Sequence, residues 1–112
     1  MHKYIVEFIG TFFLVFTVGM TVINVPRDVL VLAPVAIGSV LMVMIYAGGH
    51  ISGGAFNPAV TIALWKRGRV ALVDVPGYIA AQVLAAIVAA VIALYLKGNV
   101  EVTPMSLRLA RR

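Results

Sequence analysis

His50-Ile51-Ser52-Gly53-Gly54-Ala55-Phe56-Asn57-Pro58-Ala59-Val60-Thr61 interrupts a chain that is otherwise strongly apolar. Proline at the first position of a helix loses nothing, because its missing N–H would have no helical partner there. The residue before proline is biased away from helical backbone, which suits Asn57 as an N-cap. Its side-chain oxygen can accept from the N–H of Ala59 or Val60, leaving the NH2 group to donate outward. The glycine pairs Gly48-Gly49 and Gly53-Gly54 are expected to supply extended and left-handed backbone on the approach.

The surroundings of this stretch define its solvent. The 112 residues are 62% apolar and 12% charged. One domain of this length cannot bury so much apolar surface against itself. Three long apolar runs, at about residues 4–25, 29–47 and 76–96, are each long enough to cross a hydrocarbon core of about 30 Å. The first is read as a retained span rather than a signal peptide: it is long, carries Glu7 and lacks a small-residue cleavage site. Pro34 falls in the first turns of the second run, where proline costs least. The formal charge is +5, but the basic residues flank the apolar runs instead of forming a stripe with aromatics. That argues against nucleic acid and for membrane boundaries. There is no cysteine, so disulfides and thiolate metal sites are excluded. The tail over 98–112 reads as polar and basic.

After the quoted stretch, residues 58–67 can form a helix only about half a bilayer long, which reads as re-entrant. Irregular backbone at membrane depth is tolerated only where protein buries it or where it lines a wet cavity. A half helix there brings the positive end of its dipole near the midplane, a recurring arrangement at transport sites. Asn-Pro and a glycine cluster are, taken alone, generic turn signals. Glu7, an ionisable group inside a span, is expected to face protein or water rather than lipid. His50 has no second histidine or carboxylate at ligand spacing, so no metal or other cofactor is expected. Gly77, Ala81, Ala85, Ala89 and Ala93 recur every fourth residue and read as a close-packing face. No nucleophile–base pair or paired carboxylates are visible, and an enzyme is not expected.

The whole string is more specific than its parts. Residues 50–65 resemble the first signature loop of the aquaporin, or major intrinsic protein, family. Glu7-Phe8-Ile9-Gly10-Thr11-Phe12 resembles the family's first-helix motif with its buried glutamate, and Gly77-Tyr78-Ile79-Ala80-Ala81-Gln82 resembles the start of its third helix. The resemblance covers residues 4–96 and is greatest toward bacterial water channels. It implies an all-α membrane protein: one repeat of the aquaporin fold over residues 1–97, with three transmembrane helices and one re-entrant half helix. It implies that Asn57, Pro58 and Ala59 form the pore signature, with Asn57 donating to a central water. It also implies that the carbonyls of Gly49, His50, Ile51 and Ser52 line the path as acceptors, that Glu7 and Gln82 buttress the loop, and that Ile37 lies at the constriction. Two departures weaken water-only selectivity: Ala55 stands where the water channels often carry histidine, and Ile37 where they often carry an aromatic residue.

Selectivity in aquaporin-type pores comes from diameter, lining groups and positive half-helix ends. The family's pore joins two half helices from inverted repeats, and this chain holds one. The expectation is therefore a half channel for water or small neutral solutes such as glycerol. It would sit multi-pass among lipids in a cell membrane, read as a bacterial inner membrane. Its partner would be a second half, either an inverted copy or a separate chain, and homo-oligomers would follow. In the family topology Lys3, Lys66, Arg67 and Arg69 lie on one side, and Arg27, Lys97, Arg108, Arg111 and Arg112 on the other. That near balance permits insertion in both directions. The residues after Leu96 do not resemble the family's connecting loop, so a truncated or split half is expected over a designed one. Two alternatives are a non-conducting fragment or modulatory subunit, and a small multidrug exporter using Glu7. The second would need a fourth full span where the half helix stands.

Overall fold

The computed structural model describes residues 1–98; the tail expected beyond them lies outside the described residues. These fold into α1 (His2–Val22), α2 (Arg27–Leu30), α3 (Ala33–Ser52), α4 (Pro58–Lys66) and α5 (Val75–Lys97). A 3-10 turn, Leu72–Asp74, leads into α5. Three segments are long and apolar enough to cross a membrane: His2–Val22, Arg27–Ser52 and Leu72–Lys97. The nine residues of α4 reach only about 13 Å at 1.5 Å per residue, under half the hydrocarbon thickness. Among the described residues the protein is thus all-helical, with three spans and one half helix.

Local chemistry sets the boundaries. α1 stops at Val22 because Ile23 is extended, Asn24 is left-handed at φ 56°, and Pro26 follows; the apolar run itself continues to residue 25. α3 opens with Pro34 in its first turn, as its sequence suggests, but runs past Ala47 to Ser52. Gly48 and Gly49 are therefore helical, against the expectation of extended or left-handed backbone. Of these two glycine pairs, it is Gly53 and Gly54, at φ 90° and 68°, that take the left-handed form. Gly53 closes α3 by donating its N–H to the Gly49 carbonyl at 2.8 Å, the simplest left-handed helix stop.

α1 lies between the other two spans, with α3 and α5 packed on it and α4 packed on α5. Small residues permit the close approach. A Cβ at Gly48 would stand 2.4 Å from Val6 Cγ1, and one at Gly19 would stand 2.9 Å from the Ala93 Cβ. On α5, Ala85, Ala89 and Ala93 are buried in this contact. One end of the bundle is tied by Asp74, which accepts from Lys3 Nζ at 2.8 Å and from the Tyr4 hydroxyl at 2.9 Å. Beside it the Tyr4 and Tyr78 rings meet edge to face at 5.9 Å. At the other end Lys97 Nζ donates to the Ile23 carbonyl.

The burial pattern is inverted relative to a water-soluble protein. Val35, Val43, Ile87 and Val91 are exposed on the outside, while Glu7, Thr11, Ser52, Thr61 and Gln82 are buried within. Lipid is the solvent that rewards such an arrangement, because the polar groups then pair inside and the apolar ones face acyl chains.

Candidate functional site

Asn57 has an extended backbone (φ −156°, ψ 157°) and caps α4, its Oδ1 accepting the Val60 N–H at 2.8 Å. Pro58 occupies the first turn. Thr61 Oγ1 donates back to the Asn57 carbonyl at 2.9 Å, so both the side chain and the main chain of Asn57 are held by α4. With Oδ1 committed to the cap, the amide NH2 has no protein acceptor among the described residues. It projects where the half-helix dipole is positive.

Beside this tip lies a recess of about 240 Å³ between α1 and α5. Leu14, Val15 and Val18 wall it from α1, Val83 and Ala86 from α5, and Asn57 and Pro58 border it from α4. Its lining is almost wholly apolar. Gln82 also borders it, and Gln82 Oε1 is buried without a hydrogen-bond partner. An orphaned acceptor costs about 1–3 kcal/mol.

The irregular segment 53–57 is held from three sides. Glu7 is fully buried, and every contact on its carboxyl group is a donor. Phe56 N–H and Gln82 Nε2 reach Oε1, each at 2.8 Å, and Ser52 Oγ reaches Oε2 at 2.5 Å. Gln82 Nε2 also donates to Thr61 Oγ1 at 2.8 Å, joining α1, α4 and α5 through one side chain. Thr11 Oγ1 donates to the Phe56 carbonyl at 3.1 Å, and the Tyr78 hydroxyl to the Ser52 carbonyl at 2.7 Å. Phe56 itself has φ 60°, a conformation that costs a residue with a Cβ about 1–2 kcal/mol.

The sequence-derived site residues fall into three groups. Asn57, Pro58, Glu7 and Gln82 converge on the tip of α4. Ala59 is exposed on the first turn of α4, and Ile37 is half-buried on α3 and does not border the recess. Gly49, His50, Ile51 and Ser52 occupy the last turn of α3 rather than an open row of acceptors. The Gly49 carbonyl is used by Gly53 and that of Ser52 by Tyr78. The helix simply continues until a left-handed glycine can stop it.

Sequence reasoning missed Thr11, Thr61, Tyr78 and Phe56. Three had a readable signal. Thr11 follows Glu7 by four residues, Thr61 follows Asn57 by four, and Tyr78 precedes Gln82 by four, so each shares a helix face with a recognised residue. Nothing local announced Phe56, whose role depends on a left-handed backbone.

Among the described residues, three apolar spans and a half helix moored to them by polar groups define a multi-pass membrane protein built around a broken helix. Residues 1–110 match the family model described as Major intrinsic protein. Glycerol uptake facilitator protein-like 6 of Lactiplantibacillus plantarum is 49% identical over 89 residues, covering 80% of this chain and 41% of that protein. Aquaporin NIP1-1 of Arabidopsis thaliana is 48% identical over 94 residues (80% and 32%). Aquaporin Z of Photorhabdus laumondii is 45% identical over 97 residues (82% and 42%). The chain belongs to the major intrinsic protein family. It spans about a third to two-fifths of the length of these curated relatives.

Proposed function

We propose that this chain forms one half of a cell-membrane channel for passive flow of water and small neutral solutes. The carrying observation is Asn57: its oxygen is fixed by Val60, and its NH2 group is left to donate beside an apolar recess. A water at that point accepts from Asn57 and turns its own protons away, which interrupts a continuous proton wire. The positive end of α4 opposes cations, and apolar walls offer an ion nothing in exchange for its hydration. Acceptors on the approach belong to Gly53 and Gly54, the non-helical residues whose backbone is not buried.

The opposite half is a second repeat, carried in the same polypeptide or by another chain, an inverted copy included. The relatives include both aquaporins and a glycerol uptake facilitator protein-like chain, so the proposed permeants are water and glycerol-sized polyols. Ile37 and Ala55, less bulky or less polar than the residues expected for strict water selection, support admitting the larger solute.

The test is a fusion in which residues 1–97 replace the first repeat of the Photorhabdus aquaporin Z, reconstituted in liposomes. Osmotic shrinkage faster than in protein-free vesicles is expected; equal rates from correctly folded protein contradict the proposal.

A further inference from the structure

We propose that Phe56 is the positioning residue for Asn57, with its ring seated in a notch that Gly10 leaves on α1. This rests on the half-pore reading for its purpose, though not for its geometry. Phe56 is 1% exposed and is held at three points by one face of α1. Glu7 accepts its N–H, Thr11 donates to its carbonyl, and its ring lies over Gly10. A Cβ at Gly10 would stand 2.1 Å from Cε1, 2.4 Å from Cδ1 and 2.7 Å from Cζ of that ring. No rotamer adjustment of a fully enclosed ring absorbs such an overlap.

The backbone argues that the ring is there for more than filling space. Gly53, Gly54 and Phe56 all have positive φ in the same short segment. The first two are the residue type that adopts this conformation freely. The third carries a large side chain in spite of it. Glycine at 56 would make the turn without strain, but would leave residue 56 held by two hydrogen bonds alone, one on the peptide before it and one on the peptide after it. The ring adds a third, steric constraint that two hydrogen bonds to adjacent turns of one helix do not supply. Fixing residue 56 at these three points fixes the plane of the peptide that follows it, the direction in which the Asn57 side chain leaves the backbone, and hence where its NH2 group points.

The experiment is solid-state NMR of the full chain in lipid bilayers, reading backbone N–H order at Phe56 and Asn57 and the Asn57 side-chain amide shift. It requires no conduction, so its outcome is separate from that of the permeability test. In the unaltered chain, order near the rigid value of about 0.85 is expected at both positions. Phe56→Ala and Gly10→Ala should each lower it below about 0.6 and displace the Asn57 amide signal. Gly19→Ala is the control, since it crowds α1 against Ala93 at 2.9 Å, away from the tip. It should leave both readings unchanged. Unchanged order at Asn57 in Phe56→Ala overturns the proposal, as does an equal loss in Gly19→Ala, which would mean generic loosening. If Gly10→Ala does not fold, Phe56→Ala, which removes atoms and creates no clash, decides alone.

Discussion

The carboxyl oxygen of Glu7 that accepts the Phe56 N–H at 2.8 Å also accepts Gln82 Nε2 at 2.8 Å. One atom of α1 therefore fixes the residue before Asn57 and, through Gln82 and Thr61, the first turn of α4. A half helix held in this way is stiff where it meets the recess. Its stability and its function should respond differently to different substitutions.

Glu7→Ala strips the acceptors from three donors that stay buried: Phe56 N–H, Gln82 Nε2 and Ser52 Oγ. At about 1–3 kcal/mol for each group left unmet, the variant should unfold at much lower denaturant in detergent. Gln82 Nε2 keeps Thr61 as a second acceptor, which trims the total. Glu7→Gln should be far milder, about 1 kcal/mol, because its oxygen can serve Phe56 and Gln82 while its NH2 group donates to a rotated Ser52 hydroxyl. Equal loss in both variants would contradict this geometry.

At Asn57 the two functions of the side chain can be separated. Asn57→Ala removes the cap, costing about 1 kcal/mol, together with the outward donor. Asn57→Asp keeps an oxygen for Val60 and places negative charge at a helix N-terminus, which is favourable by about 0.3–1 kcal/mol. It nevertheless replaces the donor with an acceptor. In the fused channel, Asn57→Asp should be nearly as stable as the parent in thermal unfolding, yet lose most of its water permeability. Full permeability in Asn57→Asp would remove the donor role.

Thr61→Val and Thr11→Val are near-isosteric, yet they should not be equal. Thr61 both donates to Asn57 and accepts from Gln82, whereas Thr11 makes one bond, to Phe56. At about 1 kcal/mol per bond, Thr61→Val should cost about twice as much as Thr11→Val in unfolding free energy.

Gly48→Ala sets helix propensity against packing. The exchange favours the helix by about 1 kcal/mol, but the new Cβ would lie 2.4 Å from Val6 Cγ1. Valine has little rotamer freedom in a helix, so overpacking of about 1–3 kcal/mol should prevail. Gly48→Ala is then destabilising, and adding Val6→Ala should recover much of the loss. Failure of that recovery in detergent unfolding would show that α1 and α3 do not meet here.

Much of this was legible from composition and spacing. The three spans follow from apolar length, and α4 follows from Asn57-Pro58 and the short run behind it. Glu7 stands out because an ionisable group within a span needs a partner, whereas Gln82 was legible only through the resemblance of residues 77–82 to the family's third helix. The path before Asn57 was not legible in the same way. Two glycine pairs precede it, and only backbone hydrogen bonding decides that Gly48-Gly49 extends α3 while Gly53-Gly54 ends it. That decision moves Gly49, His50, Ile51 and Ser52 into the helix. The place of Phe56 was equally hidden, since it depends on the absence of a side chain at Gly10, far away in sequence.

The central claim is that α4 and its mooring supply half of a working pore. The most direct measurement is stopped-flow light scattering from liposomes holding the fusion of residues 1–97 with the second repeat of the Photorhabdus aquaporin Z. The account predicts shrinkage well above protein-free vesicles, largely lost in Asn57→Asp. Shrinkage at the protein-free rate from folded, inserted fusion protein would contradict it.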